Sequence, residues 1–223
     1  MKSDIAQVAA AINAEIVAVS ARSTPKIRAI RLKFSRTLKS ANPDFVLRLA
    51  KKLCAIDGYR WFAYELIQYH QAAFESLDAD ALEDLGRGIN SWWTVDAFAR
   101  SLSGPAWLHA QVPDELILKW ARSADRWWRR AALVSTVALN VRSHGGRGDA
   151  PRTLRVCRKL AGDQDPMVAK ALSWALRQLV VHDAHAVRAF LSEFDSVLPA
   201  LVKREVRNKL RTGLKQPGHR AHR

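Results

Sequence analysis

The stretch Trp127-Trp128-Arg129-Arg130-Ala131-Ala132, continuing as an apolar-rich run over residues 131–141, decides how this chain folds. Apolar side chains recur there every three or four positions, the spacing that lines one face of an α-helix. Outward from it the same period returns over residues 116–121, 168–181 and 186–194, and before them over 61–74, 45–56 and 5–19. Alternating stretches of the kind that mark strands are missing. Proline near a first helical turn, with Thr, Asn or Asp beside it as a cap, punctuates the chain at Ser23-Thr24-Pro25, Asn42-Pro43-Asp44, Val112-Pro113-Asp114 and Asp165-Pro166. The pattern predicts an all-α protein of many short helices.

Three of those helices carry a tryptophan with a charged residue about one turn later: Trp92 with Asp96, Trp127 with Arg130, and Trp174 with Arg177. Their separations are close to the length of a two- or three-helix repeat of HEAT type. Stacked antiparallel repeats of this kind form a solenoid, and equivalent residues then line its curved inner face. The expectation is one such domain over residues 1–215, with a concave basic groove, followed by a basic disordered tail over 216–223. Residues i, i+3 and i+4 share a helix face, so each tryptophan shares its face with its charged partner. A groove leaves both groups exposed to a ligand. The same spacing also suits tryptophan as a core anchor with Asp96 paired to Arg130, since a buried charge requires a partner. In the adjacent pairs, Trp93 and Trp128 are assigned to packing.

Charge narrows the function. The 223 residues hold 36 Lys and Arg against 21 Asp and Glu, a net charge of +15, which attracts polyanions. Arg22, Lys26, Arg28, Arg31, Lys33, Arg36 and Lys39 run without an acid between them, and Lys203 to Arg223 hold eight basic residues against Glu205 alone. Such runs are often only solvated faces, but here both ends of the chain match in sign. Lys and Arg neutralise phosphates, and flat indoles pack on deoxyribose. No run of about 18 apolar residues is present, so no membrane span is expected. Asp4, Asn13 and Glu15 interrupt the N-terminal apolar run, which reads as an amphipathic helix rather than a signal peptide. Two distant cysteines, Cys54 and Cys157, give no disulfide framework and suit a reducing, cytoplasmic setting.

Taken together, Thr24-Pro25-Lys26-Ile27-Arg28, Ser91-Trp92-Trp93-Thr94-Val95-Asp96, Trp127-Trp128-Arg129-Arg130, Lys170-Ala171-Leu172-Ser173-Trp174-Ala175-Leu176-Arg177 and Lys203-Arg204-Glu205 make the chain resemble the HEAT-like-repeat alkylpurine DNA glycosylases, the AlkD-type DNA alkylation repair family, over residues 24–210. The resemblance implies a monomeric glycosylase that hydrolyses the N-glycosidic bond of cationic N7-alkylguanine or N3-alkyladenine in duplex DNA during base excision repair. It places the catalytic carboxylate on Asp96, the lesion-cradling tryptophans on Trp92 and Trp174, and groove arginines on Arg130 and Arg177. Lys26, Arg28, Lys170, Lys203 and Arg204 are candidate phosphate contacts. The chain departs from the family at Met167, where an aromatic is common, and before Thr24, where the tyrosine-bearing helix has no match. Some relatives of the fold bind DNA without excising bases, so a noncatalytic protein that binds DNA of unusual shape is the alternative. A protein-interaction scaffold with a nucleic-acid-binding tail is a further one.

Other candidates carry less. His182 and His185 have metal-compatible spacing but no third ligand nearby, so neither metal nor cofactor is expected. The cysteines occupy apolar helical positions typical of core. Asp163 and Asp165 precede a helix, where capping explains them. Tyr59, Trp61, Tyr64 and Tyr69 read as core and rim. The glycine-rich segment from Ser143 to Pro151 has no preceding strand and no Gly-Lys-Ser/Thr ending, so it reads as a mobile loop and not as a P-loop.

Overall fold

The computed structural model describes residues 4–21 and 23–217; Lys2, Arg22 and all but the first two residues of the basic tail lie outside the described residues. The fold is an all-α helical-repeat fold, and no strand occurs among the described residues. The chain condenses into two compact units, one through Gly88 and one from Ile89 onward.

The first unit contains α1 (Ile5–Val17), α2 (Thr24–Thr37), α3 (Pro43–Cys54), α4 (Arg60–Gln68), α5 (Gln71–Glu75) and α6 (Ala79–Gly86). Helix α3 shows the local logic. Asn42 accepts the Asp44 N–H at 2.9 Å, Pro43 fixes the first turn, and Val46, Leu49, Ala50 and Leu53 then share the buried face. That face meets α1 and α4, where Ile12, Ile16, Phe62 and Leu66 complete the core.

In the second unit lie α7 (Trp92–Phe98), α8 (Gly104–Leu108), α9 (Asp114–Ala121), α10 (Arg126–Asn140), α11 (Ala150–Lys159), α12 (Pro166–Leu179), α13 (Ala184–Glu193) and α14 (Ala200–Thr212). Helix α10 is buried continuously from Arg130 to Asn140. A helix buried on every side must sit inside its unit. Accordingly α10 packs against α7, α8, α9, α11 and α12, and α12 packs in turn against α14. The helices bearing the three tryptophans are therefore neighbours through α10.

Between α7 and α8 the backbone widens into a π-helical turn, Ala99–Ser103, whose wider ring is closed by the Gly104 N–H on the Ala99 carbonyl. Such turns are often found at functional sites, and this one begins three residues after Asp96. It brings Ser103 Oγ to 2.7 Å from Ser135 Oγ in the interior. A Cβ at Gly104 would meet the Ala99 carbonyl oxygen at 2.7 Å and the Ser135 carbonyl oxygen at 2.9 Å. Gly104→Ala is thus expected to lower stability by about 2 kcal/mol through overpacking, despite alanine's better helix propensity. The urea midpoint reads this; an unchanged midpoint would contradict the close approach.

Candidate active site

Helix α7 is fixed at its start by a reciprocal cap. The Ser91 hydroxyl accepts the Thr94 N–H at 3.4 Å, and the Thr94 hydroxyl accepts the Ser91 N–H at 3.2 Å. This sets the helical phase that carries Trp92 and, one turn later, Asp96. Trp92 is 56% exposed. Helix α10 is capped by Asp125, which accepts the Trp127 N–H at 2.8 Å, and its second turn carries Arg130 inward.

Arg130 donates from Nε to Asp96 Oδ1 and from Nη2 to Asp96 Oδ2, each at 2.9 Å. Its Nη1 donates to the Met167 carbonyl at 2.6 Å, so one guanidinium joins α7, α10 and the start of α12. The planar fork of arginine matches a carboxylate in this way, which lysine does not. The Arg130 and Asp96 side chains are 6% and 17% exposed. Arg130, expected on a phosphate, lies beneath the carboxylate with donors from all three nitrogens directed at protein. The ion pair that the sequence left open as an alternative is present.

Asp96 keeps chemical capacity nonetheless. Each carboxylate oxygen has a second lone pair, and the group is not sealed from solvent. Burial raises its pKa above the ordinary aspartate value, outweighing the downward pull of the Arg130 hydrogen bonds and charge and of the Arg100 charge. The fold therefore favours the protonated acid. That contribution to stability is present at low pH and is lost as pH rises through the raised pKa.

A second cluster sits on α12 and α14. The Arg177 Nε donates to Ser173 Oγ at 3.1 Å, Ser173 Oγ donates to Glu205 Oε2 at 2.6 Å, and Arg177 lies 3.7 Å from the same carboxylate. Lys215 Nζ reaches Glu205 Oε1 at 3.2 Å from beyond the end of α14. Two cations on one buried carboxylate leave the cluster positive. Burial lowers the Arg177 pKa and the Glu205 charge opposes that shift. Trp174, one turn before Arg177, is half-buried.

The remaining assigned residues differ in surroundings. Lys170 and Arg204 are exposed with no ion pair among the described residues, whereas Lys203 engages Asp195. In the first unit Lys26 is exposed, and Arg28 shares the buried Glu65 with Arg31. Trp128 packs on Trp120 and Phe98, with ring centroids 4.9 and 6.0 Å away, while Trp93 is half-buried. Trp127 is half-buried with the Arg126 guanidinium 4.8 Å from its ring centroid. Asp165 caps α12 through the Met167 N–H, and Asp163 instead accepts the Asp165 N–H and pairs with Arg129. Burial pushes the Cys54 thiol up to about 11 and raises Cys157 too, which disfavours the nucleophilic thiolate at both. No cluster of three or more metal-ligating side chains occurs among the described residues. Nor is any of their helices long and apolar enough to cross a membrane.

Sequence reasoning missed Arg100, Ser173, Glu205 and Lys215 as participants. Arg100 lies four residues after Asp96, and Ser173 four before Arg177, so helical spacing could have found both. Glu205 and Lys215 approach only through tertiary packing and left no local signal.

An all-α repeat fold with an arginine-clamped carboxylate beside an exposed tryptophan is the class that the geometry defines. A family model described as DNA alkylation repair enzyme matches residues 3–210, and the chain belongs to that family. Among solved structures, a predicted DNA alkylation repair enzyme from Enterococcus faecalis is similar in fold, with a TM-score of 0.69 at 16% identity over 93% of this chain and 95% of that one. No curated protein matches significantly.

Removal of the guanidinium tests the clamp. Arg130→Ala is expected to cost about 3 kcal/mol at neutral pH, because it leaves a buried carboxylate without its cation. The loss should shrink on acidification as Asp96 becomes neutral. Urea unfolding at several pH values measures this, and a pH-independent loss would show that the residue acts through packing alone.

Proposed function

We propose that the protein is a DNA glycosylase that hydrolyses the N-glycosidic bond of cationic alkylated purines, such as N7-alkylguanine and N3-alkyladenine, in duplex DNA. The observation that carries this reading is the partly exposed Asp96 carboxylate, held in one orientation by Arg130, on the same helix as the exposed Trp92. The family membership supports the repair role, and the net charge of +15 supports DNA as the partner.

In this mechanism the alkylated purine already carries positive charge, so it leaves as a neutral base with the electron pair of the bond to C1′. Positive charge moves to the deoxyribose. Asp96 stabilises that cation and orients a water, whose oxygen bonds to C1′ while its proton is released. Arg130 acts as a positioning residue: it prevents the carboxylate from rotating and holds it ready before the cation forms. Trp92 and Trp174 hold the sugar-phosphate backbone in a concave basic groove of the solenoid. Arg177 supplies positive charge there. Lys26, Arg28, Lys170, Lys203 and Arg204 contact more distant phosphates. Binding through the backbone does not need a deep pocket around a flipped base, the usual device of enzymes acting on bases. Neutral lesions then react poorly. One lesion needs one active site, which suits a monomer, and two distant cysteines suit a cytoplasmic location.

The bidentate clamp favours one second reading, in which the Asp96–Arg130 pair is architectural and the protein binds unusual DNA without excising bases. Incubation with N7-methylguanine-containing duplex separates the two. We expect free base from the native protein and a release rate about 100-fold lower for Asp96→Asn, the scale of losing one electrostatic group at a reacting centre. Salt-sensitive binding with no release would support the noncatalytic reading.

The raised Asp96 pKa adds a second expectation. Activity needs the ionised form, so single-turnover release should fall on acidification, beginning at a higher pH than an ordinary aspartate would set. A rate that stays flat down to the usual aspartate pKa would remove Asp96 from the chemistry.

A further inference from the structure

The glycine-rich segment, expected to be mobile, is tied to the end of α10. The Gly146 N–H donates to the Val141 carbonyl at 3.1 Å and the Gly148 N–H to the Leu139 carbonyl at 3.0 Å. A Cβ at Gly146 would lie 2.3 Å from the Ala138 carbonyl oxygen, so only glycine permits this approach. Gly148, at φ +91°, sits against the His182 ring in a conformation that L side chains rarely adopt. The His182 Nε2 bonds the Asn140 carbonyl at 2.8 Å; a carbonyl only accepts, so Nε2 carries the proton. Asn140 also accepts the Asp149 N–H at 3.2 Å and donates to Thr153. The loop is thereby built onto the helix from both sides.

On this frame Arg142, Gly145, Gly146, Arg147 and His182 line an open cavity of about 360 Å³. Both arginines are exposed and neither has an ion pair among the described residues. Many other arginines of this unit are paired, including Arg126, Arg129, Arg130, Arg152, Arg155, Arg158, Arg177 and Arg207. The nearby carboxylates in sequence are engaged elsewhere. Asp149 caps Arg152 and holds its Nε at 2.6 Å, and Asp183 accepts the Ala186 N–H. Two guanidinium forks are left facing one cavity with no anion supplied by the described protein.

We infer that this loop is a phosphate-binding site that takes a backbone phosphate of nucleic acid through Arg142 and Arg147. It is separate from the Asp96 centre, because Asn140 follows Arg130 by about ten helical steps along α10, about 15 Å of helix. Guanidinium forks match the paired oxygens of a phosphodiester. The inference rests on the reading of the chain as a DNA-binding protein, but it does not require Asp96 to be catalytic.

The test measures affinity for undamaged duplex across a salt series with the native protein, Arg142→Ala/Arg147→Ala and Arg142→Lys/Arg147→Lys. The alanine pair should bind about tenfold more weakly at low salt, and its log K against log salt should be shallower by about one, since loss of one phosphate contact releases about one fewer counterion. The lysine pair should keep the native slope. Matched thermal unfolding confirms folded variants, as expected for exposed, unpaired side chains. An alanine pair with native affinity and slope overturns the site. Arginine-dependent binding of pyrophosphate with unchanged DNA affinity overturns the assignment to a nucleic-acid backbone. Base release by the native protein, measured alongside, reports on the glycosylase reading independently.

Discussion

A carboxylate taken largely out of water and kept in place by two parallel hydrogen bonds is the constraint around which the second unit is arranged. Asp96 and Arg130 come from different helices, and Arg130 also engages the Met167 carbonyl at the start of a third. Removing either charge strands the other in a poorly hydrated place. The capping box of α7, the Asp125 cap of α10 and the Asp165 cap of α12 set the phases of those helices, so that the three groups meet. Tight passage at Gly104 lets the chain leave Asp96 through the π-helical turn without displacing α10.

The proposed function unites in this arrangement two roles that the sequence presented as alternatives. A salt bridge between Asp96 and Arg130 reads as architecture, whereas an exposed acid beside a tryptophan reads as chemistry. A group that must stabilise a cation benefits from being fixed before that cation forms, because no reorganisation is then needed at the moment of reaction. The clamp orients the carboxylate and partly neutralises it, while burial opposes its ionisation. The analogous Glu205 cluster is fully committed to Ser173, Arg177 and Lys215, which marks it as a holder of positive charge rather than a second acid centre.

The helical class was legible because apolar spacing is local, and so was the placing of Trp92 with Asp96, Trp127 with Arg130 and Trp174 with Arg177 on single helices. The division after Gly88 left no such mark, since it depends on which helices pack together and not on a linker of distinctive composition. The engagement of Arg130 with Asp96 spans 34 residues and that with Met167 spans 37, so local spacing raises the ion pair only as an alternative to a phosphate contact. The glycine-rich segment gave no local sign of its contacts, because glycine in isolation signals conformational freedom; here Gly146 and Gly148 are required for close approach to α10 and His182.

The claim that Asp96 answers to positive charge on the sugar is most directly measured by binding. Duplexes carrying either a protonated pyrrolidine in place of the lesion's deoxyribose or its neutral tetrahydrofuran counterpart differ in that charge and little else. The native protein should prefer the pyrrolidine duplex, and Asp96→Asn should bind both alike. An equal preference in native and variant proteins would contradict the account.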